Sequence, residues 1–368
     1  MLSQLPHKLR RVNTNFKWGG SHPPQKVLVL IMAHRNVTVS AGIALGMAAG
    51  MFLKRRRSIS VQNKTVFVTG GSRGLGLLLA QEFARRGAKI AISARDRSEL
   101  EKAEALLRTI TDQVLILETD MTMREEVDLA VDKIEQHFGP VDILVNNAGT
   151  ISVGPVETMT IDDYRDSINT HFWGPYFATI AVLPSFQRRR HGRIVNISSI
   201  GGKIGVPHLV PYSVGKFALT GFSQGLRSEL LKDNIYVTTI CPGLMRTGSP
   251  RNASFKGNNE AEYAWFSISD ALPVISMSAK RAARRIVNAC LCGDAEVVLS
   301  LPAKVAVKLH ALFPGITTDV LGLMNVFLPP PGGIGSSIRT GKQSSSIMSP
   351  SWLTTLNERA ARENNQVP

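Results

Sequence analysis

The sequence predicts an α/β protein, one doubly wound domain around a mostly parallel sheet, and three observations carry that expectation. Short β-branched runs alternate with helical patterns from Lys64 to Leu301, the signature of parallel strands joined by crossover helices. The run Lys64-Thr-Val-Phe-Val-Thr69 feeds straight into Gly70-Gly-Ser-Arg-Gly74-Leu-Gly76 and then into the helical pattern Leu77 to Arg86. At 368 residues the chain can hold one large domain with appendages.

The first element, strand then glycine turn then helix, reads as a Rossmann-type nucleotide-binding unit. Glycine lets the backbone turn tightly and approach a pyrophosphate, whose charge a helix N-terminus stabilises. The spacing is Gly-x3-Gly-x-Gly rather than G-x-G-x-x-G. A second strand follows at Lys89 to Ala94, a third at Val114 to Glu118, and a fourth at Val141 to Val145, which ends in Asn146-Asn-Ala-Gly149. Further on stand Ser198-Ser199 and then Tyr212-Ser-Val-Gly-Lys216. On a helix the four-residue spacing puts Tyr212 and Lys216 on one face, one turn apart. A phenol titrates near ~10, and an adjacent ammonium is expected to lower that value. A tyrosine tuned in this way exchanges a proton with an alcohol or carbonyl.

Together Thr69-Gly70-x3-Gly74-x-Gly76, Asn146-Asn-Ala-Gly149, Ser199, Tyr212-x3-Lys216 and Pro242-Gly243 resemble the short-chain dehydrogenase/reductase family over about residues 62–301. The resemblance implies NAD(P)-dependent interconversion of a carbonyl and a secondary alcohol. It makes Tyr212 the general acid/base and Lys216 the group that lowers its pKa and holds the nicotinamide ribose. Ser199 would bond the substrate oxygen, with Ser198 as its rival on the opposite face of the strand. Asn169 would anchor a relay water. Cofactor contacts would come from Gly70, Ser72, Arg73, Gly74, Leu75 and Gly76, from Asn147, Ala148 and Gly149, and from Tyr212 and Lys216. Pro242, Gly243 and Thr247 would cover the nicotinamide carboxamide. Asp120 would touch adenine or, equally, cap the next helix. At the end of the second strand, Ala94 replaces the carboxylate that would accept bonds from a ribose 2′-hydroxyl. Arg95 follows and Arg73 projects from the glycine turn, so two guanidiniums can clamp a 2′-phosphate. NADP(H) is therefore expected in preference to NAD(H).

The net charge of +15 is unevenly spread. Residues 1–63 carry ten basic side chains and no acidic one, leaving 33 basic against 28 acidic in the remainder. This describes a nearly balanced domain with a basic arm, and no motif supports nucleic-acid binding. The three cysteines, Cys241, Cys290 and Cys292, are not grouped for a metal, and Cys241 reads as a buried small side chain. Within the basic leader of residues 1–62, Val37 to Leu53 is uncharged and followed by Lys54-Arg-Arg-Arg57. Its length is at the lower limit for a membrane span. Glycines at 42, 46 and 50 give it one smooth face. The basic cluster would keep the enzyme on the cytoplasmic side as an anchored protein. A transit peptide, a disordered leader, or a start at Met32 are the rival readings.

The Rossmann-type domain is expected over residues 63–301. Its variable stretch Leu244 to Met277 contains Phe255, Tyr263, Trp265 and Phe266. A short helix over Asn258 to Ser269 would either lay these aromatics over a pocket for a bulky apolar substrate or pack as a lid on its own domain. A helix from Ser278 to Cys290 and a closing strand from Ala295 to Leu301 complete it. Residues 302–330 read as two short amphipathic helices that cover the domain, contact a second copy in a homo-oligomer, or rest on a membrane. After Pro329-Pro-Pro-Gly-Gly, residues 331–368 read as a flexible tail with one short helix at Leu353 to Arg362. The functional expectation is an NADPH-dependent carbonyl reductase. A catalytically silent cofactor-binding scaffold and a cofactor-recycling epimerase or dehydratase are the alternatives.

Overall fold

The computed structural model describes residues 57–366 apart from 274, 347–348 and 350–353; the candidate anchor 37–53 lies outside the described residues. Among the described residues no helix is long and apolar enough to cross a membrane.

The strand β1 (Thr65–Thr69) is buried along its whole length, as a central parallel strand must be. Val66 and Val68 face one side and Phe67 the other, and these two directions define two cores. The glycine turn leads to α1 (Gly74–Ala84), then β2 (Lys89–Ala94), α2 (Arg97–Arg108), β3 (Val114–Glu118), α3 (Arg124–Phe138) and β4 (Ile143–Asn146). A two-residue strand β5 (Ser152–Val153) precedes α4 (Ile161–Ile168). The helix then widens into a π-turn at Asn169–Trp173 and resumes as α5 (Gly174–Arg189). β6 (Gly192–Ile197), α6 (Val210–Leu230) and β7 (Ile235–Cys241) follow. Beyond them come β8 (Met245–Arg246), β9 (Ser254–Phe255), α7 (Asn259–Ala271), β10 (Met277–Ser278), α8 (Ala279–Cys292) and β11 (Glu296–Val298).

Seven strands form one parallel sheet in the order β11-β7-β6-β4-β1-β2-β3. One face buries α1, α2 and α8 through residues such as Leu77, Phe83, Leu100, Leu107, Ile286 and Val287. The other buries α3 and α5 through Val127, Val131, Ile134, Val182 and Phe186. The winding direction reverses between β1 and β4. In open α/β sheets ligands bind at that point, outside the carboxyl ends of the strands.

Two segments differ from the sequence reading. The closing strand is shorter than Ala295 to Leu301, because Leu301 begins α9 (Leu301–Leu312), with the Ser300 hydroxyl capping it at Ala303 N–H. α10 (Pro314–Asn325) completes a helical hairpin. The stretch expected to be a flexible tail is folded back. β12 (Arg339–Thr340) pairs antiparallel with β9, which also pairs parallel with β5. α11 (Thr355–Glu363) lies on α7 and β8, tied by Arg251–Glu358 at 2.8 Å and Lys280–Glu363 at 2.7 Å. Composition suggested solvation, but these polar side chains find partners in the chain itself. Gly248 (φ +84) makes room: a Cβ there would stand 2.4 Å from Ala361 Cα.

Candidate active site

The glycine turn and the end of β4 are bolted together. Thr69 Oγ1 accepts the N–H groups of Asn147 (3.0 Å) and Ala148 (3.1 Å), and Asn147 Nδ2 donates to the carbonyls of Thr69 (3.1 Å) and Gly70 (3.0 Å). Gly70 and Gly74 have φ of +62° and +59°, which other residues rarely adopt. A Cβ on Gly76 would stand 2.1 Å from the Gly70 carbonyl. The result is a cradle over residues 70–76 in which Gly70, Gly71, Gly74 and Gly76 carry no side chain and Leu75 is buried, at the start of a helix with no side-chain cap. Such a surface suits the phosphates of a dinucleotide.

Beside it, Tyr212 near the start of α6 is bonded to Ser199, whose Oγ accepts Gly201 N–H at 3.0 Å. Ser198 points the other way, its hydroxyl 3.1 Å from the Lys216 carbonyl and 2.7 Å from Thr220 Oγ1. Alternation along the extended chain separates the pair. Lys216, one turn beyond Tyr212, is buried; its Nζ donates to the Ile197 carbonyl at 2.8 Å and lies 5.7 Å from the Tyr212 ring centroid.

The electrostatics differ from the expectation that Lys216 lowers the tyrosine's pKa. Burial pushes the Tyr212 phenol up to about 12, against the opposing hydrogen bond from Ser199. Burial brings the Lys216 ammonium down to about 7. Loss of hydration is the leading cause of both shifts, since it disfavours the charged form of each group.

Asn169 opens the π-turn, and its carbonyl accepts Gly174 N–H across five residues. Single π-turns of this kind occur often at functional sites. The same turn brings in His171, which the sequence reading passed over. It is buried, its Nε2–H donates to the Thr150 carbonyl (2.9 Å), and its ring meets Tyr212 edge-on at 5.3 Å. Burial, and then Lys216, hold its pKa well below the ordinary histidine value. The neutral ring's Nδ1 is a buried acceptor without a partner among the described residues. A histidine in a helical run carries no motif, so only the fold could reveal this position.

The other expected cofactor residues are spread along the cleft. Pro242 accepts Ile200 N–H at 2.7 Å, and Gly243 lies against Ser300 and Ala303. Thr247 Oγ1 is 2.8 Å from Ser249 Oγ. Asp120 turns its carboxylate onto Thr122 rather than capping α3, whose N-cap is Met123. Arg95 is exposed, whereas Arg73 is ion-paired with Glu99, which also bonds Ser72 Oγ at 3.1 Å.

The C-terminal residues lie along the same cleft. Asn364 accepts Gly74 N–H through its carbonyl (2.8 Å), and its Nδ2 donates to the Thr247 carbonyl (3.2 Å). Asn365 Nδ2 donates to the carbonyls of Ser72 (2.9 Å) and Glu99 (3.3 Å). Gln366 Nε2 stands 2.5 Å from where a Gly74 Cβ would be.

The variable-region aromatics form a third core: Phe255, Tyr263 and Phe266 are buried together, with Trp265 and Tyr212 packed against them. Glu262, fully buried, bonds His208 Nδ1 (2.7 Å) and Trp265 Nε1 (2.6 Å). A cleft of about 540 Å³ between β3 and α3 holds none of these groups.

Comparison with known proteins agrees with this architecture. Residues 64–256 match the family model described as short chain dehydrogenase. The chain is 36% identical over 208 residues to a dehydrogenase/reductase SDR family protein 7-like of Anopheles gambiae, covering 55% of this chain and 66% of that protein. It is 36% identical over 248 residues to SadH of Mycobacterium tuberculosis, named as an oxidoreductase, covering 67% and 89%. Human 17-beta-hydroxysteroid dehydrogenase 13 is 32% identical over 206 residues, 55% of this chain and 68% of that one. A solved short-chain dehydrogenase from Streptomyces avermitilis superposes with a TM-score of 0.62 at 28% identity, covering 72% of this chain and 97% of that one. Sequence, sheet order and site therefore converge: the chain is an oxidoreductase of the short-chain dehydrogenase/reductase family, whose members bind NAD(P) and act on small molecules.

Proposed function

We propose that the protein reduces a carbonyl to a secondary alcohol with NADPH, using Tyr212 as the general acid. The observation that carries this reading is the half-buried Tyr212–Ser199 pair beside buried Lys216, next to the glycine cradle. Residues 70–76, Asn147 to Gly149 and Pro242 to Thr247 would hold a nicotinamide dinucleotide, which would supply the hydride when bound.

The chain's own groups handle the oxygen and the proton. Ser199 and Tyr212 grip the carbonyl oxygen, where negative charge develops. With its value pushed up to about 12, Tyr212 is protonated at neutral pH. An alkoxide is a stronger base than a phenolate, so the proton moves from Tyr212 to the substrate oxygen. Lys216, brought down to about 7, readily gives up a proton near neutrality and so can restore the phenol. The Asn169 carbonyl keeps a second lone pair beyond its bond to Gly174 and can hold a relay water.

Preference for NADPH draws on Ala94 and exposed Arg95; Arg73 joins the clamp only by leaving Glu99. The apolar cluster around Tyr212 favours a bulky apolar carbonyl, the chemistry that the human relative's name suggests. The test is turnover of a carbonyl panel with NADPH and with NADH, wild type beside Tyr212→Phe. The variant is expected to lose at least ~100-fold, the range general acid catalysis supplies. Full turnover by the variant would remove Tyr212 from the mechanism. Cofactor binding without turnover by wild type would favour the silent scaffold.

A further inference from the structure

We propose that the α9–α10 hairpin is a docking element for a membrane surface bearing anionic lipids. Its bulky side chains face outward. On α9, Leu301 (74% exposed), Val305, Leu309 and Leu312 (71%) are open to solvent; on α10 and just past it, Ile316, Val320, Leu323 and Phe327 (88%) recur at i, i+4, i+7 and i+11. That spacing lines them along one helix face. Phe313 at the turn, Met324 and Val326 extend the apolar surface.

The less exposed positions are mostly small or polar: Ala303, Ala306, Val307 and His310 on α9, Thr317 and Leu321 on α10. His310 Nδ1 and Thr317 Oγ1 are bonded at 2.7 Å across the turn. A hairpin packed for water places its large apolar residues inside and its polar ones outside. This arrangement is the reverse, and small residues between helices with bulky ones outward suit a lipid environment.

Charge selects the lipid. Lys304 and Lys308 flank the apolar face of α9, which carries no carboxylate, and Asp319 is the one acidic side chain on the hairpin. Lysine stems lie along apolar surface while the ammonium reaches phosphate headgroups. The hairpin's root also touches the site: Ala303 Cβ would stand 3.0 Å from a Cβ on Gly243, in the loop after β7. Docking therefore brings the loop beside Tyr212 to the membrane and favours carbonyl substrates dissolved there. That last step rests on the reductase reading; docking itself does not.

The test uses the full chain with Phe327→Cys in a Cys292→Ser background, the other two cysteines being buried, labelled with a polarity-sensitive fluorophore. With vesicles of phosphatidylcholine and phosphatidylserine the emission is expected to shift to the blue and rise several-fold. Leu309→Glu with Leu323→Glu should weaken the vesicle response at least ~10-fold; both sites are exposed, so folding, checked by circular dichroism, should survive. Lys304→Glu with Lys308→Glu should weaken it on mixed vesicles and leave it unchanged on phosphatidylcholine alone. Because the label reads the hairpin itself, a chain bound only through its N-terminal arm would leave the emission unshifted and overturn the proposal. So would a blue shift that needs no vesicles and grows with protein concentration, which would mark a second copy as the occupant. Docking without carbonyl turnover would sink the reaction reading and leave docking intact.

Discussion

Ser198 and Ser199 show how one residue of register separates structure from chemistry. Both are hydroxyls at the end of the same strand, yet Ser198 is spent on the α6 backbone and Thr220 while Ser199 meets Tyr212. Lys216 shows the weight of burial over pairing. Its folded-state value, about 7, lies below its ordinary 10.5. Between those values the unfolded chain holds a proton that the folded chain has released, so stability rises with pH across that window. Below about 7 the cost of burying the ammonium is present in full. Replacing Lys216 with Met removes this dependence. Wild type should gain on the variant by up to ~1.4 kcal/mol per pH unit between about 7 and 10, read from urea denaturation midpoints. A difference that stayed flat with pH would show that the lysine is charged in the folded protein. Tyr212 acts in the opposite sense, since its raised value makes stability fall above pH ~10.

Two contacts tie whole elements together. Lys256, just after β9, and Asp163, in the first turn of α4, form a 2.5 Å ion pair with side chains only 2% and 5% exposed. Asp163 also accepts Thr160 N–H, capping α4. Asp163→Ala strands a buried ammonium and should cost about 3–5 kcal/mol in thermal or urea unfolding, far more than an exposed pair would. The C-terminal segment ties α11 to the cofactor cleft. The Asn364 carbonyl accepts the Gly74 N–H that a pyrophosphate would use, while Asn365 Nδ2 donates to the Ser72 carbonyl and anchors the segment there. Ending the chain after Thr354 frees the Gly74 N–H from a contact worth about 1 kcal/mol, so NADPH should bind roughly fivefold more tightly in a fluorescence titration. Weaker binding by the shortened chain would mean that the segment closes over the cofactor instead of competing with it.

At the scale of the whole molecule, stability and exposure are divided between parts. The parallel sheet carries both large cores, whereas the hairpin buries only Ala303 among its helical residues. Excising residues 304–327 and joining the ends with a short glycine–serine linker should leave the melting temperature within about 2 °C, because exposed surface contributes little to folding. The same excision should raise solubility, since it removes a large exposed apolar patch. A much larger drop in melting temperature would show that the hairpin braces the domain through the Gly243 contact.

The α/β class and the strands at Thr65–Thr69 and Lys89–Ala94 were legible in the sequence, because parallel strands buried on both faces must read as continuous apolar runs. The glycine turn was legible for a related reason: only glycine tolerates the positive φ and close approach at Gly70, Gly74 and Gly76. Tyr212, Lys216 and Ser199 stood out by spacing, which local helix and strand geometry sets. Other properties depend on surroundings that residues distant in the chain create. Burial reverses the expected shift of Tyr212, His171 joins the site through a π-turn, and Glu99 captures Arg73. The polar C-terminus folds for the same reason, since its partners Ser72, Gly74 and Thr247 lie more than a hundred residues away. Local pattern determined which elements form and which side chains share a face; desolvation and long-range pairing, which exist only after folding, decided what those side chains do.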